Sequence, residues 1–242
     1  MYNEMLNMRS QKVRNLYKNL DNWLSNQNIN SLMRQSAKAE ELFRKVGITF
    51  NVYGEDEAEE RLIPFDLMPR IIDSKEWNLI EKGITQRLIA LNMFLEDVYS
   101  KQKIIKENII PSKLINNNAA FLPEMCDFKP PGGIYTHISG IDLVRTSEKN
   151  FFVLEDNLRV PSGASYMIEN RSTMMHMFPE LFTIYNVKPV FNYPDLLLKS
   201  LVKTSKSSTR KPNVAVLTPG VFNSAYYEHT FLADEMGVNL LE

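Results

Sequence analysis

The sequence predicts an α/β chain with α+β elements, and three observations carry that expectation. Apolar residues recur at three- and four-residue spacings around 31–46 and 84–98, the period of helices with one buried face. Two apolar runs, GIDLVR (140–145) and FFVLEDN (151–157), flank the polar turn TSEKN, which is the pattern of a β-hairpin. VAVLTPG (214–220) reads as a buried parallel strand entering a glycine turn, NSAYYEHTFLADEMG (223–237) as the helix after it, and VNLLE as a second strand.

Each element has its own signal. Residues 1–30 are polar and Asn-rich and predict a loosely held helical lead-in. SLMRQSAKAEELFRKV (31–46) predicts a helix with Leu32, Ala39, Leu42, Phe43 and Val46 on one face and Gly47 as its stop. ITFNVY (48–53) has strand composition, and EDEAEER (55–61) reads as an acidic surface loop. Asp73 and Glu76 have capping-box spacing before a second helical region. There Ile84, Leu88, Leu91, Leu95 and Val98 form a core stripe, and Gly83 is expected to kink or split the helix. KPPGG (129–133) is a turn signal, IYTHI (134–138) is strand-like, and SYMIENRSTMMHMF (165–178) reads as a helix. KTSKSSTRKP (203–212) is the best linker in the sequence. No internal repeat is present.

Composition narrows the function classes. With 242 residues, 44% hydrophobic and 24% charged, the chain is globular rather than disordered. Lys plus Arg is 28 and Asp plus Glu is 29, so the basic excess of a protein that wraps nucleic acid is missing. No apolar run approaches the roughly 20 residues that span a bilayer. MYNEMLNMRSQK has neither the apolar core nor the cleavage site of a secretory signal, and the single Cys126 allows no intrachain disulfide. These features predict a cytoplasmic protein that contacts neither membrane nor nucleic acid. The strand–helix–strand unit over 214–242 cannot cover its own sheet. Either it docks on earlier strands or its partner strands lie outside this sequence; the second alternative predicts exposed apolar surface and self-association.

The stretch with chemistry is GIDLVRTSEKNFFVLEDNLRVPSG (140–163). If the turn centres near Glu148, Asp142 sits opposite Glu155, and such pairs share a face at about 5 Å. Asn157, two residues on, points the same way. Two carboxylates that close repel unless a cation lies between them. Mg²⁺ suits the set, being a hard ion that takes one or two carboxylates and completes its shell with water and phosphate. Arg159 could hold phosphate oxygens bidentately. Pro161, Ser162 and Gly163 form a turn with free N–H groups at the positive end of the following helix. The alternative is a hairpin whose acids simply face solvent.

TPGVFNSAYYEH (218–229) is a glycine loop before a helix, where Asn223 and Ser224 either contact an anionic substrate or Asn223 only caps the helix. His137, His176 and His229 have no metal spacing and read as structural, with His229 the best exception. Cys126 has no activating neighbour. Arg145 reads as a surface charge. Arg171 could reach a cleft or pair with a carboxylate on the helix surface. Arg87, in a core-like helix, requires a partner that the sequence does not name.

Asp142 on one strand and Glu155-x-Asn157 on the next resemble the magnesium-binding hairpin of the ATP-grasp superfamily, and Arg159 fits a pattern of some members. GITFNVYG, PFDLMPRII, GITQRLIALNMFLEDVY, GIDLVR, VLEDNLRVPSG, YMIENR and VLTPGVFNSAYYEHTFLADEMGV together resemble the bacterial circularly permuted ATP-grasp proteins, related in fold to glutathionylspermidine synthase. The resemblance runs from about residue 40 to the last. It implies a partial circularly permuted ATP-grasp fold with the start of a Rossmann-like pre-ATP-grasp domain. Its segments would be a mainly helical region at 1–110, the magnesium half at 111–202, a linker at 203–212 and a first β-α-β piece at 213–242.

The resemblance also implies an ADP-forming carboxylate–amine ligase of peptide type that works through an acyl phosphate, with Mg²⁺ and ATP as cofactors. Asp142, Glu155 and Asn157 would hold the metal. Arg159 would stabilise the transferring phosphoryl group and bind nucleotide with Ser162 and Gly163. Gly220, Asn223 and Ser224 would contact the substrate. Members of the family continue past this point into the adenine clamp, so a truncated form, inactive alone, is expected. The alternatives are a non-catalytic binding or assembly protein, or one half of a split ligase completed by a partner chain.

Overall fold

The computed structural model describes residues 2–52, 59–205 and 212–242, with backbone alone for 49–52 and 59–61. In chain order the helices are α1 (Lys18–Ser25), α2 (Ile29–Val46), α3 (Ser74–Val98), α4 (Lys103–Lys106), α5 (Ser112–Asn116), α6 (Ala164–Met177), α7 (Pro179–Ile184), α8 (Tyr193–Thr204) and α9 (Tyr226–Met236). The strands are β1 (Thr49–Val52), β2 (Glu59–Leu62), β3 (Gly140–Arg145), β4 (Phe151–Asn157), β5 (Ala215–Leu217) and β6 (Asn239–Leu241). They pair as β1–β2 and β3–β4, both antiparallel, and β5–β6, parallel. This is the expected α/β class with α+β elements. The chain divides into two compact units that interleave in sequence instead of following one another: Ile72–Pro161 with Tyr2, and Asn3–Ile71 with Ser162–Glu242. No helix among the described residues is long and apolar enough to cross a membrane.

In the unit built on Ile72–Pro161, α3 is the long element. Its start is the expected capping box: Asp73 Oδ1 accepts from the Glu76 N–H at 2.7 Å, and Glu76 Oε2 accepts from the Asp73 N–H at 3.4 Å. The expected break at Gly83 does not occur, and α3 runs unbroken for 25 residues. One interior glycine costs about 1 kcal/mol relative to alanine, which a helix with a continuous apolar face tolerates. Ile80 and Val98 are buried, and Ile84, Leu88, Leu91 and Leu95 are half-buried along the same face. IYTHI is not a strand. Its Tyr135 and Thr136 N–H groups donate to Asn92 Oδ1 of α3 at 2.7 and 3.2 Å, so a side chain satisfies them in place of a ladder.

In the other unit the N-terminal segment is firmly packed, contrary to the loose lead-in expected from its polarity. Tyr17, Leu20 and Trp23 fall at three-residue intervals and bury together against Met177, Phe178 and Leu181. Trp23 meets Phe178 edge-on at 5.1 Å and donates Nε1–H to Glu180 Oε1 at 3.0 Å. The Tyr17 hydroxyl accepts from the Ile71 N–H at 2.8 Å. The Tyr185 hydroxyl accepts from the Leu20 N–H at 3.0 Å and donates to the Leu16 carbonyl at 3.1 Å. Three apolar positions in one row suffice because the polar residues between them face outward.

Helix α2 starts two residues before the expected Ser31, where the Asn28 side chain accepts from the Asn30 N–H at 2.8 Å. It stops at Gly47 with φ +78°, a left-handed conformation that glycine adopts without strain. Ala39 and Phe43 are buried as expected, but Val46 is exposed. Of the acidic stretch 55–61, residues 59–61 belong to β2 instead of a loop, and 55–58 lie outside the described residues. Of the expected linker, 203–204 close α8 and 206–211 lie outside the described residues. β5, α9 and β6 form the expected strand–helix–strand unit, with Ala215 opposite Asn239 and Leu217 opposite Leu241. The expected buried strand is open on one face, with Leu217 74% and Leu241 48% exposed.

Candidate functional site

The β3–β4 ladder pairs Asp142 with Glu155 and Gly140 with Asn157, and it pairs Leu143 with Val153. Counted without interruption from the turn, Asp142 would oppose Leu154. A bulge between Asp142 and Leu143 inserts Leu154 as the unpaired residue and moves Glu155 into place. The expected pair therefore forms by a route that the turn alone does not supply. Leu154 is 72% exposed, and Asp142 and Glu155 are exposed beside it. Asn157 Nδ2 donates to Asp142 Oδ2 at 3.4 Å, so the amide joins the carboxylates. The structure thus brings Asp142, Glu155 and Asn157 together on one solvent-facing patch. Among the described residues no group of three or more His, Cys, Asp or Glu gathers at metal-binding distance, so this set consists of two carboxylates and an amide.

Alternation turns Asp156, between Glu155 and Asn157, to the other side. There it provides the partner that the sequence did not name for Arg87. Nε donates to Oδ1 at 2.7 Å and Nη2 to Oδ2 at 2.5 Å, a bidentate pair. The Arg87 hydrogen bonds hold the Asp156 carboxyl below its ordinary value, against a smaller effect of burial.

Arg145 is not the surface charge expected from its place beside the turn. Its side chain is 5% exposed and paired with both oxygens of Glu76. It also donates to the Ser147 and Glu148 carbonyls at 3.1 and 2.7 Å and lies over the rings of Tyr2 and Phe151 at 5.1 and 4.8 Å. Glu76 was legible in sequence only as a helix cap. Its second role depends on a residue 69 positions away.

Arg159 follows β4 and is exposed, and among the described residues it makes no hydrogen bond or ion pair. Of the three arginines on or facing the hairpin it is the one available to an anion. Its neighbour Val160 has φ +46°, a left-handed conformation that a β-branched residue rarely adopts.

Ser162 and Gly163 lie at the start of the other unit's second segment. Ser162 is exposed. Gly163 precedes α6 with φ +114°, but its N–H is not free as expected. It donates to both oxygens of Glu228 at 2.9 Å. Ser165 adds its N–H at 2.9 Å and its Oγ–H at 2.7 Å to Glu228 Oε2. The anion that this helix end attracts is an internal carboxylate. Glu228 is 4% exposed and Ser165 is fully buried. Sequence reasoning missed this residue, since nothing local in AYYEH ties position 228 to position 163.

Gly220, Asn223 and Ser224 lie on one loop between β5 and α9. Gly220 has φ +100°, and a Cβ there would stand 3.3 Å from Glu242 Oε1. Its N–H donates to Thr218 Oγ1 at 3.2 Å, and that oxygen meets His229 Nδ1 at 2.9 Å, so His229 braces the loop. Asn223 is not the helix cap. Its Oδ1 accepts from the Ala225 N–H at 2.9 Å, one turn before α9 begins at Tyr226. Arg171 pairs with a backbone oxygen, donating to the Lys188 carbonyl at 2.6 Å, instead of with a carboxylate. His137, His176 and Cys126 are exposed.

Comparison with known proteins shows the family. Residues 69–242 match the model of a circularly permuted ATP-grasp family. An uncharacterized protein of Synechocystis is 44% identical over 223 residues, covering 92% of this chain and 46% of that protein. An uncharacterized protein of Mycobacterium leprae is 42% identical over 241 residues, covering 100% of this chain and 42% of that protein. A protein of Frankia casuarinae, provisionally named a glutamate–cysteine ligase, is 39% identical over 197 residues, covering 81% of this chain and 22% of that protein. The chain spans less than half the length of these curated relatives. With the family model covering more than two thirds of its residues, the chain belongs to the circularly permuted ATP-grasp family.

Proposed function

We propose that this chain carries the magnesium-binding part of an ATP-dependent carboxylate–amine ligase that forms ADP. The observation that supports it is the meeting of Asp142, Glu155 and Asn157 on the hairpin, two of them by bulged register and the third by hydrogen bond. Two carboxylates and an amide oxygen suit Mg²⁺, which leaves room in its shell for water and phosphate. Asp142, Glu155 and Asn157 would hold the metal, which when bound would offset the negative charge of the phosphates.

The chain's own residues then have assigned roles. Asp142 and Glu155 supply the negative charge, and Asn157 fixes Asp142 by hydrogen bond while offering its own oxygen. Arg159 holds the transferring phosphoryl group, because its guanidinium is unengaged where Arg87 and Arg145 are spent on carboxylates. Ser162 adds a hydroxyl to the nucleotide contact, and Gly163, whose N–H serves Glu228, contributes the left-handed turn. Gly220, Asn223 and Ser224 form the loop assigned to the acyl substrate. In the overall reaction the substrate carboxylate attacks the γ-phosphorus of ATP and releases ADP. The amine then attacks the acyl carbon and displaces phosphate. A cytoplasmic setting, where ATP is available, fits this chemistry.

Calorimetric titration of Mg·ATP into the 242-residue chain tests the site without requiring turnover. Binding is expected, with loss of about tenfold or more in affinity in Asp142→Asn and in Glu155→Gln. Variants that bind as the wild type does would refute the assignment.

A further inference from the structure

Gly140 opens β3 opposite Asn157. A Cβ built on it would stand 2.8 Å from Pro161 Cβ, 3.8 Å from Pro161 Cγ and 3.6 Å from Asn157 Cβ. Carbon atoms in contact settle near 3.5–4.0 Å, so no side chain fits there. The proline ring rests on the bare backbone of β3, in the space a side chain would fill.

Between Asn157 and Pro161 run Leu158, Arg159 and Val160. Val160 is left-handed at φ +46°, and its side chain is 84% exposed, so no burial of its own rewards that conformation. The two ends of the segment impose it. The ladder holds Asn157 and the Gly140 seat holds Pro161, against the preference of a residue before proline for extended backbone. Arg159 sits inside this fixed span.

We infer that the seat of Pro161 on Gly140 is the positioning device that holds Asn157 and Arg159 in register with Asp142 and Glu155. Gly140 and Pro161 are thus positioning residues for the metal and phosphate groups. This inference rests on the metal reading of the hairpin given above. A methyl group at Gly140 would lift Pro161 off the strand, and both flanking functional side chains would move with the segment.

Mn²⁺ affinity of the 242-residue chain, read from the free-ion spin-resonance signal, tests this, with circular dichroism as a check on folding. Gly140→Ala is expected to lower the affinity about tenfold while the helical signal is retained. Pro161→Gly, which removes the seat without adding an atom, lowers it to a similar degree. Adding Gly140→Ala to Pro161→Gly then costs less than twofold, because there is no ring left to displace. If Gly140→Ala binds as the wild type while Asp142→Asn does not, the inference fails and the metal reading stands. If Gly140→Ala costs the same in both backgrounds, the effect is that of the methyl group alone and the seat is refuted. Should Gly140→Ala not fold, Pro161→Gly carries the test, and wild-type affinity in it refutes the inference. A wild-type chain that binds no Mn²⁺ overturns the metal reading and this inference with it.

Discussion

Glu228 offers the sharpest test of what joins α9 to α6. Its carboxylate is 4% exposed and accepts from the Gly163 N–H, the Ser165 N–H and the Ser165 hydroxyl, all within 2.9 Å. Glu228→Ala deletes the acceptor and leaves two backbone donors at a helix start, one of them on a fully buried residue. Hydrogen bonds to a charged group contribute about 1.5–3 kcal/mol each, but such bonds at one acceptor are not additive. A total loss of about 4 kcal/mol follows, a large share of the 5–15 kcal/mol that stabilises a typical domain. At roughly 2–4 °C per kcal/mol for a chain of this size, the thermal midpoint should fall by about 8–16 °C. Glu228→Gln keeps the shape and one acceptor oxygen and should lose roughly half as much. Ser165→Ala removes the hydroxyl donor alone and should cost about 1 kcal/mol. Differential scanning calorimetry of the three variants checks the order. A Glu228→Ala midpoint within 2 °C of wild type would mean that water replaces the carboxylate, and the reasoning would be wrong.

Two further outcomes are expected. Arg145→Ala removes the guanidinium from Glu76 in a site where the arginine side chain is 5% and the glutamate 15% exposed. The expected loss is about 3–5 kcal/mol by urea denaturation, and a loss under about 1 kcal/mol would show a solvated pair instead. Glu169 gives a pH dependence of stability. Burial pushes its carboxyl above the ordinary 4.5, the Tyr227 hydroxyl partly offsets this, and the charge of Glu235 adds to the rise. The folded chain therefore keeps the proton to a higher pH than the unfolded chain does. Stability from this group falls as pH rises from about 4.5 through the folded value, then stays lower at neutral pH. Glu169→Gln should raise the thermal midpoint at pH 7 and lose that advantage below pH 4, and an equal gain at both pH values would refute the cause.

Local rules carried much of this fold in the sequence. Asp73 and Glu76 announce the start of α3, Gly47 the end of α2, and the apolar runs around TSEKN the hairpin. Each depends on residues within a few positions, where backbone hydrogen bonds and side-chain period act directly. The same locality misled at Gly83, IYTHI and residues 1–30. There a continuous apolar face, the Asn92 side chain and a core 160 residues away in sequence outweighed propensity.

The sequence by itself determined which residue types face one another across β3 and β4, and so the donors of the candidate site. Tertiary structure decided the rest: the bulge at Leu154 that completes the Asp142–Glu155 pair, the partners of Arg87 and Arg145, and the occupation of the α6 start by Glu228. The physical reason is one of range. Period and capping are properties of a segment, whereas a buried charge must find its counterion wherever packing places one, and no spacing along the chain records that place.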